Sequence, residues 1–157
     1  PESDLGLSMF WSPDSRYFGF ATLDGKLKKI AVTGEKPTPV CNLGWSRGAS
    51  WGHKDIIVFA PAPASALFAV PAAGREPYQV TALDSGRREA SHRFPWFLPD
   101  GEHFLFLALP GSAAGYDTFV GSLHDKSIKK ILTAGSGAVW GASTPAVSVV
   151  GRWVVTS

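Results

Sequence analysis

FWSPDSRYFGF, residues Phe10 to Phe20, decides the fold: an apolar run ends on an aromatic, Ser12-Pro13-Asp14-Ser15 forms a turn, and a second apolar run starts at Tyr17. The phrase returns as SWGHKDIIVF from Ser50, WFLPDGEHFLF from Trp96 and VWGASTPAVSVV from Val139. Its marker aromatics are Trp11, Trp51, Phe97 and Trp140, so the unit recurs after 40, 46 and 43 residues. Further along, KLKKIAVTGEKPTPVCNL (Lys26 to Leu43) aligns without gaps on ALFAVPAAGREPYQVTAL (Ala66 to Leu83), pairing Leu27 with Leu67, Gly34 with Gly74, Pro37 with Pro77 and Val40 with Val80. A third copy, TFVGSLHDKSIKKILTAG from Thr118, keeps the apolar positions without the Gly and Pro. Its extra residues fall around Pro110 to Gly115, where lengthening a surface loop costs little entropy.

A unit of about 40 to 45 residues with four short strands is the size of one propeller blade. The expected fold is therefore all-β, a β-propeller fragment of about 3.5 four-stranded antiparallel blades, at approximately 9–44, 45–86, 87–137 and a partial 138–157. Apolar runs such as Tyr17 to Ala21, Ile56 to Ala60, Phe104 to Leu109 and Ala146 to Val150 have strand length and are bounded by Pro, Gly, Asp and Ser. In the second unit the strands are expected at Ala49 to Trp51, Ile56 to Ala60, Ala66 to Pro71 and Tyr78 to Leu83. Ala60 to Ala73 is rich in alanine, but Pro61, Pro63 and Pro71 forbid a helix there. Propellers close with about four to eight blades. A shorter arc leaves apolar blade faces to be covered, so self-association or assembly with further blades is expected.

The 157 residues carry a formal net charge of +2 and 45% hydrophobic side chains. That near balance demands neither a nucleic acid nor an anionic membrane as partner. No run approaches the roughly 18 apolar residues of a membrane-spanning helix, so no direct membrane insertion is expected. Cys41, the single cysteine, reads as a small buried hydrophobe. PESDLGLS at the start has no signal-peptide character.

WSPD, matched by LPDG at Leu98 to Gly101 and followed by an apolar strand and IAVTG or LFAVPAAG, resembles the TolB-like, WD-repeat-like propeller units of bacterial proteins. GWSRGASW (Gly44 to Trp51), VPAAGREPYQVTALD (Val70 to Asp84) and SHRFPWFLPDGEHFLFLA (Ser91 to Ala108) are similar to the propellers that follow the membrane segment of bacterial serine/threonine kinases. The similarity covers Met9 to about Ala138; the last twenty residues depart from it, with Ser143 to Ala146 in place of the usual turn. The resemblance implies a binding or sensing platform, often extracytoplasmic or periplasmic, without kinase chemistry.

Several motifs invite catalytic readings. Gly44-Trp45-Ser46-Arg47-Gly48 matches the nucleophile-elbow string, but an elbow works between a strand and a helix, and here it joins two strands. The histidines His53, His92, His103 and His124 lack metal-ligand spacing, so no metal or other cofactor is expected. Asp14, Asp24, Asp55, Asp84, Asp100 and Asp117 read as turn residues bonding local backbone donors. Propeller glycosidases use a carboxylate pair, and nothing singles one out. Lys26, Lys28 and Lys29, echoed by Lys126, Lys129 and Lys130, read as solvated outer-strand positions.

Counting back four from each marker aromatic gives Leu7, Arg47, Arg93 and Ser136, so two units carry arginine at one equivalent position before the innermost strand. Arg87, Arg88, Glu89 and His92 crowd the same connection, flanked by Trp45 and Trp96. Aromatics with arginine are the composition of interaction hot spots. The expected site for a protein, peptide or small ligand is thus Trp45, Arg47, Arg87, Arg88, His92, Arg93 and Trp96; the alternatives are structural pairing of these arginines, or a hydrolase using Ser46 or a carboxylate pair. An inactive truncated fragment is the third reading.

Overall fold

The structure is a computed structural model that describes residues 5–111, 115–134, 139–140, 146–149 and 152–155; side chains are described over 8–111 and 115–133. Among the described residues there is no helix. The first sheet holds β1 (Leu5–Trp11), β2 (Tyr17–Thr22), β3 (Lys26–Ala31) and β4 (Thr38–Asn42). The second holds β5 (Ala49–Trp51), β6 (Ile56–Phe59), β7 (Phe68–Pro71) and β8 (Tyr78–Gln79). The third holds β9 (Glu89–Phe97), β10 (His103–Pro110), β11 (Tyr116–Ser122) and β12 (Ile128–Ala134). A fourth, three-stranded sheet holds β13 (Val139–Trp140), β14 (Ala146–Val149) and β15 (Arg152–Val155). Each sheet is an antiparallel meander in chain order, about three full blades of a propeller. Expectations resting on Ser136 and Ser143 lie outside the described residues.

Every marker aromatic ends the first strand of its sheet, with an equivalent register: Trp11 faces Phe18, Trp51 faces Ile57, Phe97 faces Phe104 and Trp140 faces Val147. The turns after them follow from their residues. Asp14 accepts the Arg16 N–H at 3.0 Å, and Asp100 accepts those of Glu102 and His103 at 2.9 Å each. Side-chain acceptors of this kind close a tight turn without further backbone partners.

Two apolar clusters hold the sheets together. Phe10, Leu27, Trp51, Ile57 and Phe59 pack between the first and second sheets; Val58, Leu67, Phe97, Phe104 and Phe106 pack between the second and third. Alternation along β6 explains the division, because successive side chains point to opposite faces of a strand. Trp51 is 7% exposed, stacked on Tyr17 of the first sheet at 6.1 Å and edge-on to Phe10 at 6.4 Å. Phe97 is 8% exposed, whereas Trp11 is 57% exposed, since no described sheet precedes β1 to cover it. Phe10 lies so close to β2 that a Cβ at Gly19 would stand 2.3 Å from its ring.

Three expectations need correction. The outer strand of the second sheet stops at Gln79 instead of reaching Leu83. Val80 and Thr81 both direct their N–H groups at the Leu67 carbonyl, and the Leu67 N–H bonds to the Thr81 hydroxyl at 2.9 Å, so a side chain interrupts the ladder. Asp117 sits inside β11, where it pairs with Lys130 at 2.8 Å across the sheet, and is not a turn residue. Cys41 is half-buried; its thiol, pushed up to about 11 by burial and then by the Glu76 carboxylate, stays protonated at neutral pH.

Candidate functional site

Residues 43–48 connect β4 to β5 and carry Trp45, Ser46 and Arg47. The Gly48 N–H donates to Ser8 Oγ at 3.0 Å, and Ser8 Oγ shares a hydrogen bond of 2.7 Å with Ser46 Oγ. Ser46 is buried, among the described residues no histidine or carboxylate bonds to its oxygen, and a strand follows it. The residues that match the elbow string thus anchor the first sheet to the second.

β9 approaches this connection through a bulge. Trp96 pairs with Leu105 and Arg93 with Leu107, so Phe94 and Pro95 together face one residue of β10. Phe94 takes φ 51°, a left-handed conformation that is unusual for a bulky side chain. Its N–H donates to the Arg47 carbonyl at 2.9 Å, and a Cβ on Gly48, itself at φ 110°, would lie 2.7 Å from the Phe94 Cα. Arg47, Arg93 and the exposed Phe94 ring are thereby gathered at one end of the inner strands. Phe94 is absent from the sequence-derived set, and its one signal there is the proline that follows it.

The two arginines differ in how they are held. Arg93 donates from Nε to Ser91 Oγ and from Nη2 to the Pro63 carbonyl, each at 2.9 Å. Burial, and then the neighbouring Arg47 charge, hold Arg93 below the usual arginine value. Among the described residues Arg47 makes no ion pair, and its buried Nε has no hydrogen-bond partner. A buried donor left unmet costs about 1–3 kcal/mol, and with no ion pair among the described residues the Arg47 charge is uncompensated.

The other residues of the set fall elsewhere. Trp45 is 68% exposed and walls a pocket of about 310 Å³ with Leu23, Asp24 and Gly25. Trp96 lines a separate cavity beside Trp11, His53 and Pro99, near the turns at the far end of the same strands. Arg88 is exposed on a turn at φ 53°. Arg87 pairs with Asp84 at 2.9 Å and with Glu89 at 2.8 Å, and its guanidinium lies 5.0 Å over the Phe119 ring.

His92 is 0% exposed. Its Nδ1 meets Thr81 Oγ1 at 2.8 Å and its Nε2 meets Glu89 Oε2 at 3.1 Å. Because the ionised Glu89 carboxylate can only accept, Nε2 carries the proton, and in the neutral ring Nδ1 then accepts from the Thr81 hydroxyl, whose oxygen in turn accepts the Leu67 N–H. Burial holds His92 below the usual histidine value despite the Glu89 charge. Burial pushes Glu89 up, but the Asp84 N–H, Arg87 and His92 outweigh it and leave the carboxyl below its usual value. Threonine, histidine and carboxylate in series have the residue types of a hydrolase triad without its function, since the threonine oxygen is buried and already committed to backbone.

Among the described residues no group of three His, Cys, Asp or Glu side chains is placed to hold a metal. No protein-family model matches the chain, and no curated protein matches it. Solved structures do resemble it. TolB from Acinetobacter baumannii superimposes at TM-score 0.67 with 11% identity, covering 96% of this chain and 42% of that one. An oligogalacturonate lyase in complex with manganese gives 0.65 with 9% identity over 85% and 43%. An auxiliary nutrient binding protein from Bacteroides thetaiotaomicron gives 0.62 with 12% identity over 86% and 32%. The chain spans less than half the length of each. A lyase and a binding protein share this scaffold, so the likeness speaks to architecture and leaves catalysis open. In fold, the chain is about three blades of a TolB-like β-propeller.

Proposed function

We propose that the chain is a non-catalytic propeller module that binds a protein or peptide partner through Arg47 on the 43–48 connection and through Arg93 and Phe94 at the bulge of β9. The observation that carries this reading is the buried, unpartnered Nε of Arg47 beside a second arginine and an exposed aromatic. A carboxylate from a partner meets the uncompensated charge of Arg47 beside Arg93. Trp45 adds apolar area on the same connection, whereas Arg87, Arg88, His92 and Trp96 lie outside this site.

Affinity capture with the wild-type chain and with Arg47→Glu, run in parallel, tests the reading. A hot-spot arginine predicts that the retained partner binds the variant about tenfold more weakly or worse. Equal retention by both removes Arg47 from the site. Stoichiometric labelling of Ser46 by a serine-reactive phosphonate would instead establish the hydrolase reading. Self-association, or assembly with further blades over the exposed Trp11 face, belongs to the same proposal. Light scattering that returns a well-folded monomer refutes self-association.

A further inference from the structure

The two junctions between sheets are built alike but finished differently. Strand pairing makes Phe59 and Phe68 of the second sheet equivalent to Phe106 and Phe119 of the third, since each pair sits two residues beyond the partner of the marker aromatic. The gapless repeat makes Cys41 equivalent to Thr81. At the junction of the second and third sheets, the nine-residue connection 80–88 and the start of β9 fold back over these positions. His92 packs on Phe106 at 4.7 Å and bonds Thr81, and Arg87 lies over Phe119. At the junction of the first and second sheets the connection has six residues, 43–48, and among the described residues no histidine or arginine takes the places of His92 and Arg87; Phe59 is as buried as Phe106, but Phe68 is only partly buried. There Cys41, Phe59 and Phe68 line an open groove of about 800 Å³, within the size range of ligand sites.

The walls of that groove state the chemistry of what fills it. Lys26, Lys28 and Arg75 line it against one carboxylate, Glu76. Lys26 is paired with Asp24, while among the described residues Lys28 and Arg75 have no ion-pair partner. The groove also lacks the carboxylate that Asp117 places beside Arg87 at the other junction. A cationic plug like Arg87 is therefore disfavoured, and an anionic one with an apolar side chain for the phenylalanine floor is favoured. The protonated Cys41 thiol adds contact surface and no nucleophile.

We propose that this groove docks an extended acidic peptide segment bearing an aromatic or large aliphatic residue, which does from outside what residues 80–92 do internally at the next junction. The site is separate from Arg47 and Arg93, so its failure and that of the reading proposed for those two arginines are distinguishable.

Selection from a random peptide library on the intact chain, followed by fluorescence-polarisation titration of the winners, tests it. Acidic winners with an aromatic or large aliphatic residue are expected, bound at least about tenfold more weakly by the Lys28→Glu, Arg75→Glu double variant. Ala73→Trp, which fills the groove from an exposed position, is expected to abolish binding with the unfolding midpoint unchanged, and Arg47→Glu to leave binding intact. Basic winners, no winners, or binding indifferent to both groove variants overturn the proposal. So does a single-stranded oligonucleotide that binds the groove in preference to the peptides.

Discussion

Thr81→Val isolates the buried hydrogen-bond chain that seals the junction between the second and third sheets. Valine keeps the shape of threonine but removes the oxygen that accepts the Leu67 N–H at 2.9 Å and donates to His92 Nδ1 at 2.8 Å. Leu67 and His92 are both fully buried, so water cannot replace the lost partner. Two unmet polar groups at about 1–3 kcal/mol each give an expected loss of about 2–6 kcal/mol. Thr81→Ser keeps both bonds and gives up one methyl, worth about 0.8 kcal/mol. Urea unfolding followed by tryptophan fluorescence reads the difference directly. With a slope of about 2 kcal/mol per molar for a domain of this size, valine is expected to lower the midpoint by about 1–3 M. A valine variant within about 0.5 kcal/mol of the serine variant would show that the chain contributes nothing to stability and refute the reasoning.

The same network predicts how stability responds to acid. His92 is neutral and its affinity for a proton is lowered in the fold, so below about 6.5 the unfolded chain binds more protons than the folded one and stability falls. Glu89, also lowered, adds to the loss below the ordinary glutamate range. Urea midpoints measured from pH 7.5 to 5 are expected to decline in the wild type and to flatten in His92→Phe; an unchanged slope in that variant sinks the assignment. Gly19→Ala places a methyl 2.3 Å from the Phe10 ring and is expected to cost about 1–3 kcal/mol in thermal or urea unfolding, as overpacking does. Gly48→Ala meets the Phe94 backbone at 2.7 Å and adds strain at φ 110°; it is expected to destabilise more than Gly19→Ala, and a neutral result would mean that the bulge in β9 is not held as described.

Strand order was readable because its signals are local. An aromatic, a Pro-Asp turn and a period-two apolar run specify one hairpin each, and repetition supplies the register. The early end of β8 was not readable, because it depends on the Thr81 hydroxyl outcompeting a backbone carbonyl for the Leu67 N–H. Spacing from the marker aromatics brought out Arg47 and Arg93, and the connection carrying Arg47 meets the strand carrying Arg93 through the Phe94 N–H. His92 stands one residue from Arg93 yet points into the core, since neighbours on a strand face opposite ways. Trp45 and Trp96 were grouped by sequence distance from the arginines, and the pockets they line are different ones.

The run Ile57-Val58-Phe59-Ala60 is buried on every residue, alternate side chains serving the cluster on either side. The middle sheet therefore belongs to both halves of the described structure, while the first and third each contribute to one cluster defined within it. Loosening by heat or denaturant is expected to reach the second sheet last, because among the described sheets it is the one held by a cluster on each face. Amide protons of β6 and β7 are then the slowest to exchange, and a cavity cut at Ile57 or Val58 joins two otherwise separable unfolding events into one.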